Sequence, residues 1–354
     1  MRKKIVGMLT TATLLTMALA GNVQAAEIRS VGPDGETAVD ASTIELTDDQ
    51  IAQIKEGGYT AAICLHYGGN DWSTSQQKGL EDTFGELGIE IVAVTDANFS
   101  AETQVSNIET VMAKKPDILI SIPTDATATA DAYKQAAAAG IKIVFMDQRA
   151  NGLEAGKDYV SVVSADNYGN GYASGTVLGE ALGGEGKVAM VYYDANFAPT
   201  NQRDEGFRDA MKNYPDIEIV TEQGFTDESA CAEQGDAILT QFPNIDGIYA
   251  SWDVPMEGVL SAVRAAGMEG KVTLACNDLG NNVAREVASG NIAGGGAQMP
   301  YDQAKLAALA LLGEETPSYV AVPAETFTHE NVLEAYTDVY HVETPDWLTE
   351  AYVD

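Results

Sequence analysis

Short apolar runs alternate with helical patterns from residue 60 almost to residue 300, and this alternation leaves few architectures open. Runs suited to buried strands stand at 60–65, 89–94, 118–122 and 141–146, with helical patterns at 73–87, 101–114 and 126–139 between them. A parallel neighbour strand needs a crossover long enough to hold a helix, so this order predicts βαβ units around a parallel sheet. The expected class is α/β.

The alternation then begins again. Further runs occupy 160–164, 188–192, 217–220, 245–250, 272–276 and 292–297. Gly79-Leu80 precedes Ile89-Glu90-Ile91-Val92, and Gly206-Phe207 precedes Ile217-Glu218-Ile219-Val220, 128 positions on. Lys115-Pro116-Asp117-Ile118 is answered by Asn244-Ile245-Asp246-Gly247. Such a spacing far exceeds solenoid periods and predicts two copies of one doubly wound lobe. Ahead of both, Thr47-Asp48-Asp49-Gln50 reads as a capping box, and Gly57-Gly58 ends that short helix.

In open α/β sheets, ligands bind in the crevice beyond the C-terminal ends of the strands. The residues there are polar or aromatic: His66, Asn70 and Trp72; Thr124 and Asp125; Asp147, Gln148 and Arg149; Trp252 and Asp253; Asn277 and Asp278; Gln298. No nucleophile and base stand out among them.

The compartment follows from the first residues. Met1–Lys4 is basic, an apolar stretch follows, and Val23-Gln24-Ala25 places small residues at a signal-peptidase site, so residues 1–25 read as a secretory leader. The lipoprotein pattern needs a Cys after the apolar core, where this chain has Gly21-Asn22. No later stretch is long and apolar enough to span a bilayer, so the expectation is a free, unanchored protein. The formal charge is −33 before the leader's three cations are removed, which repels nucleic acid and anionic lipid. Halophily accounts for the same acidity. Cys64, Cys231 and Cys276 cannot all pair within one chain; they read as thiols, and no Cys/His spacing suggests a metal.

Several motifs are set aside. Gly169-Asn170-Gly171-Tyr172-Ala173-Ser174-Gly175 mimics a dinucleotide fingerprint, but its spacing is wrong, and these glycines are assigned to backbone packing at a helix start. The acidic stretch Glu222–Glu228 is read as solvated. Nucleophile elbows, HExxH and P-loops are absent from the sequence. No cofactor is expected.

Six short motifs, in order, resemble the periplasmic sugar-binding proteins of the ribose-binding family over residues 59–327. They are Asn70-Asp71-Trp72, Phe145-Met146-Asp147-Gln148-Arg149, Arg203-Asp204-Glu205-Gly206-Phe207, Ser251-Trp252-Asp253, Cys276-Asn277-Asp278 and Ala297-Gln298-Met299-Pro300. The resemblance implies a pocket where Asn70, Asp147, Arg203, Asp278 and Gln298 hydrogen-bond ligand hydroxyls, with Trp72 and Phe225 stacked on its C–H faces. Gln148, Trp252 and Asp253 complete the expected ligand set, while His66 is assigned to lobe packing. Carboxylates, amides and guanidinium suit adjacent hydroxyls because each hydroxyl both donates and accepts. Where the family often has Arg after the strand-end Asp, this chain has Gln148, and Trp252 puts a large ring in place of a small amide. Both departures reshape the pocket and put ribose itself in doubt.

The resemblance further implies a type I periplasmic-binding-protein-like fold: two Rossmann-like lobes joined by a three-segment hinge near 165–167, 298–299 and 323–326. The expected division is a leader at 1–25, an N-terminal extension at 26–58, a first lobe at 59–165 plus 299–323, and a second at 166–298 plus 324–354. The expected function is capture of a pentose, hexose or polyol and delivery to an ABC import permease. The partners are that ligand and that permease, with no nucleic acid and no membrane embedding; the protein is expected to be an exported monomer without enzymatic activity. A chemoreceptor-coupled sugar sensor fits the same residues as an alternative. A secreted carbohydrate-active enzyme would need an acid/base pair across the cleft, a role in which Asp147 and Asp278 could be cast. A lac-repressor-like regulator would need a helix-turn-helix where the leader stands.

Overall fold

The computed structural model describes residues 28–310 and 316–353. The expected leader therefore lies outside the described residues. In chain order the elements are β1 (Val39–Asp40), α1 (Asp48–Gly57), β2 (Thr60–Leu65), α2 (Asp71–Glu86), β3 (Glu90–Asp96), α3 (Ala101–Ala113), β4 (Ile118–Ser121), α4 (Ala130–Ala138), β5 (Lys142–Met146) and β6 (Ser161–Ala165). There follow α5 (Asn167–Ala181), β7 (Glu185–Tyr193), α6 (Ala198–Met211), β8 (Asp216–Phe225), α7 (Cys231–Gln241), β9 (Gly247–Ala250), α8 (Asp253–Ala265), β10 (Thr273–Cys276), α9 (Asn281–Ala288) and β11 (Gly294–Ala297). The last elements are α10 (Pro300–Ala310), β12 (Tyr319–Val322), β13 (Glu325–Thr328), α11 (Val332–Tyr340) and α12 (Asp346–Ala351).

Among the described residues the strands form two sheets, ordered β1-β12-β6-β5-β4-β2-β3 and β13-β11-β10-β9-β7-β8. Leave out β1, β12 and β13 and the two orders are one order, which is the duplication read from the sequence. Its details repeat as well. The first strand of each copy carries a register shift, between Ala61 and Ala62 and between Val188 and Ala189. Asp117 accepts the Thr60 backbone N–H at 2.8 Å, and Asp246 accepts that of Lys187 at 2.7 Å. The paired aspartates thus pin the same strand start in both lobes, where an unpaired N–H would be costly.

Gly79 and Gly206 repeat too, for a packing reason. A Cβ on Gly79 would meet the Tyr301 carbonyl oxygen at 2.7 Å, and one on Gly206 the Tyr168 carbonyl oxygen at 2.1 Å. Each lets two helices pack backbone to backbone, α2 on α10 and α6 on α5. The Gly169–Gly175 stretch serves the same α5–α6 contact, as expected of it: a Cβ on Gly171 would fall 1.8 Å from the Arg203 carbonyl oxygen.

The chain passes between the sheets after β6, after β11 and after β12. Two segments left vague by the sequence have definite places. β1 joins the first sheet beside β12, so the N-terminal extension is part of that sheet. The tail adds α11 and α12, whose Val332, Ala335, Val339 and Leu348 complete the second lobe's core. Thr47 makes both halves of its capping box, and Gly58 closes α1 in the left-handed region. All three cysteines are buried and unpaired. No helix of the described residues is long and apolar enough to cross a membrane.

Candidate functional site

The C-terminal strand ends of the two sheets face one another across a cleft, and the empty space between them is about 430 Å³ with the open solvent at its mouth included. Two aspartates reach it by the same local device. Asp147 follows β5 and Asp278 follows β10, with φ of 62° and 66°. Aspartate tolerates this left-handed turn better than most side chains. Each backbone N–H donates to the neighbouring strand, to the Val163 and Gly296 carbonyls at 3.0 and 2.9 Å. Each carboxylate is held by a glutamine amide: Gln303 Nε2 donates to Asp147 Oδ1 at 2.7 Å and Gln298 Nε2 to Asp278 Oδ1 at 3.0 Å.

Arg203 comes from α6 and is 5% exposed. Its Nη1 donates to Asp278 Oδ2 at 3.0 Å and to the Ser251 carbonyl at 3.3 Å, while Nε donates to Asn167 Oδ1 at 2.9 Å. Burial works against the Arg203 charge, but Asp278 and then Asp147 more than offset it and raise its pKa. Burial pushes the Asp147 pKa up, with Arg203 and the Gln303 bond opposing.

Of the expected ligand set, Trp72, Asp147, Arg203, Trp252, Asp278 and Gln298 line the cavity. Four others stand behind it. Asn70 is the N-cap of α2: its Oδ1 accepts the Ser73 N–H at 2.9 Å and its Nδ2 donates to the Tyr67 hydroxyl at 2.5 Å. Gln148 bridges the lobes, donating to the Pro123 carbonyl at 2.7 Å and accepting the Ala198 N–H at 3.1 Å. Phe225 supports the Tyr193 and Trp252 rings from behind, with centroids 5.7 and 5.1 Å away. Asp253 starts α8 and accepts the Val254 N–H at 2.9 Å; burial, then Asp278, raise its pKa well above the usual range. The acidic stretch is not all solvated either, since Glu228 accepts the Trp252 indole N–H at 2.8 Å.

His66, assigned by sequence to packing, lines the cavity together with Tyr67, Phe99, Tyr193, Phe197, Pro199 and Thr200. Its ring lies nearly parallel to that of Phe197 across the cleft, 5.7 Å between centroids. Burial and then Arg203 lower its pKa to about 3, so it is neutral. Phe99 and Asn98 are both in the left-handed region, φ 58° and 46°, a strained pair held at the mouth by the Phe99 N–H to the His66 carbonyl at 2.8 Å. Tyr67 and Tyr193 follow or end strands and were open to the same strand-end rule. Phe99, Phe197 and Gln303 carried no such signal.

Three buried polar atoms on lining residues have no partner among the described residues: His66 Nδ1, Trp72 Nε1 and Gln298 Oε1. Leaving such a group unpaired costs about 1–3 kcal/mol, so the cavity is chemically incomplete without a guest that donates and accepts.

Comparison with known proteins agrees with this geometry. The family model described as periplasmic binding protein domain matches residues 61–313. The D-ribose/D-allose-binding protein of Pseudomonas aeruginosa is 28% identical over 272 residues, 73% of this chain and 83% of the relative. The ribose import binding protein of Bacillus subtilis is 26% identical over 212 residues, 60% of this chain and 67% of the relative. An ABC transporter periplasmic solute binding protein from Actinobacillus succinogenes, solved with bound D-allose, superposes with a TM-score of 0.71 at 30% identity, over 78% of this chain and 99% of that one. Two lobes, three passages between them and a polar, ring-lined cleft make this chain a member of the periplasmic binding protein domain family.

Proposed function

We propose that this protein captures a small sugar or sugar alcohol between its lobes, outside the cytoplasm, and hands it to an ABC import permease. The observation that carries the reading is the set of unpartnered polar atoms on a cavity shared by both lobes. Hydroxyls satisfy donors and acceptors alike, and the rings of Trp72 and Trp252 offer cover for C–H faces. The lining side chains proposed to touch ligand are Trp72, Asp147, Arg203, Trp252, Asp278 and Gln298. Asn70, Gln148, Phe225 and Asp253 act by holding them.

The lobes that close, in this reading, are 59–165 with 299–323 and 166–298 with 324–354. A ligand touching both favours the closed form by its differential affinity for it. The mechanism is binding and closure. Asp147 and Asp278 are both engaged by protein donors, which suits holding a guest better than passing protons. Thermal unfolding against pentoses, hexoses, tetritols, pentitols and inositols tests the proposal: a ligand at a hundred times its Kd adds about 2.7 kcal/mol to folded stability. No shift with any of them overturns it.

A further inference from the structure

Acidic and basic groups around the cleft do not balance. Arg203 and Asp278 pair at 3.0 Å, and their charges cancel. Asp147 faces them from the other lobe, 8% exposed, bonded by the neutral donors Gln303 and Ser164 at 2.7 and 3.2 Å. Arg203 acts on Asp147 as well as on Asp278, so one cation serves two buried carboxylates. Among the described residues beside it in sequence or on the cavity no second is free, since Arg149 pairs with Asp34 at 2.5 Å, Gln148 is neutral, and burial holds His66 uncharged. Two buried carboxylates sharing one cation leave a net negative charge that is costly to bury, and a further positive charge relieves it. The aromatic faces of Trp72, Phe197 and Trp252 on the same cavity attract cations too. Yet Trp72 Nε1 is a donor only and has no acceptor among the described residues. An ammonium group cannot serve it, whereas a hydroxyl can.

We propose that the guest is a small hydroxylated amine, an amino alcohol or amino sugar, whose ammonium group sits against Asp147 and whose hydroxyls meet Trp72 Nε1 and Gln298 Oε1. This rests on the binding-protein reading above and narrows its ligand class. The same charge balance rejects sugar acids and sugar phosphates.

The test is calorimetry near neutral pH on matched pairs: glycerol against 2-amino-1,3-propanediol, ribitol against 1-amino-1-deoxyribitol, and D-glucose against D-glucosamine. The aminated member of at least one pair binds tenfold or more tighter than its neutral partner. Asp147→Asn reduces that preference to threefold or less; should the variant fail to fold, the comparison on the native protein decides alone. Binding with no tenfold preference for the amine in any pair, or a neutral sugar from the broader screen that outbinds its amino counterpart, overturns the amine and leaves sugar capture standing. No binding by any compound of either set overturns both.

Discussion

Asp71 and Asn281 meet across the mouth of the cleft: the Asn281 backbone N–H donates to one Asp71 carboxylate oxygen at 2.7 Å and the Asn281 side-chain amide to the other at 2.8 Å. Asp71 opens α2 in the first lobe and Asn281 opens α9 in the second. Tyr336 of α11 fixes the amide's orientation by donating to Asn281 Oδ1 at 2.5 Å. This two-point contact exists only when the lobes are together, and neither residue lines the cavity.

Asp71→Ala therefore weakens ligand binding without touching the ligand. Each of the two hydrogen bonds contributes about 0.5–1.5 kcal/mol net, so losing both lowers affinity by roughly fivefold to 150-fold. The loss comes from the closing equilibrium, and calorimetry together with small-angle scattering of the ligand-free protein reads it. Undiminished affinity would show that the contact is incidental to closure.

Arg203 supplies a second prediction. Arg203→Met leaves Asp278 buried with no cation, which costs about 3–5 kcal/mol, whereas replacing both partners by apolar groups is far milder. The double variant Arg203→Met with Asp278→Leu accordingly unfolds at higher urea than Arg203→Met alone, and both lose ligand affinity by at least tenfold. If the single variant unfolds at the native midpoint, the pair carries no structural weight.

Two buried groups give opposite pH slopes. Burial, then Arg203, lower the His66 pKa from 6.5 to about 3, so the unfolded chain takes up a proton that the folded chain refuses. Stability held above pH 6.5 drains as pH falls toward 3. Burial raises the Asp204 pKa from 3.8 to about 7, so the folded chain keeps a proton that the unfolded chain releases. There, stability present below pH 3.8 is lost as pH rises to 7. Asp204→Asn keeps an acceptor for the Ser251 hydroxyl, 2.6 Å away in the native chain, and removes that loss. Its stability advantage over the native protein grows between pH 4 and 7, by up to about 1.4 kcal/mol per pH unit. His66→Gln gains on the native protein in the other direction, as pH falls below 6.5. Urea titrations at several pH values read both slopes; parallel curves for variant and native protein refute the assignment.

What the sequence disclosed follows from which forces act locally. Strands buried on both faces must be apolar throughout, so their runs were visible, and the Asp117/Asp246 and Gly79/Gly206 pairs survived duplication because each meets the same backbone constraint. Strand ends disclosed Asp147, Asp278 and Trp252. Asn70 and Gln148 are also strand-end polars, yet they bond to backbone and to Tyr67, and residue type alone does not separate a cap from a cavity-lining side chain. Phe99 and Phe197 reach the cavity from loops whose course depends on lobe packing, and nothing periodic marks them. The N-terminal extension was opaque for the same reason: two residues of strand are too short for a pattern.

That extension carries the last prediction. Asp166 lies at the first passage between lobes, and its carboxylate accepts the backbone N–H groups of Arg29 and Ser30 at 3.0 and 2.8 Å, as well as that of Gly169 at 2.9 Å. Ser30 Oγ in turn accepts the Tyr168 N–H at 3.0 Å. A few residues on, Gln202 of α6 donates to the Val31 carbonyl at 3.2 Å, Arg149 pairs with Asp34 at 2.5 Å, and β1 joins the first sheet. One strand of chain thus fastens to both lobes at the hinge. Ser30→Pro deletes a donor to a buried carboxylate and lowers stability by roughly 1–3 kcal/mol, with Ser30→Ala intermediate because it loses only the hydroxyl. Urea unfolding measures the ranking, and scattering of the ligand-free Ser30→Pro protein should show the lobes further apart. An unchanged midpoint and unchanged dimensions would mean that the segment merely lies on the hinge without restraining it.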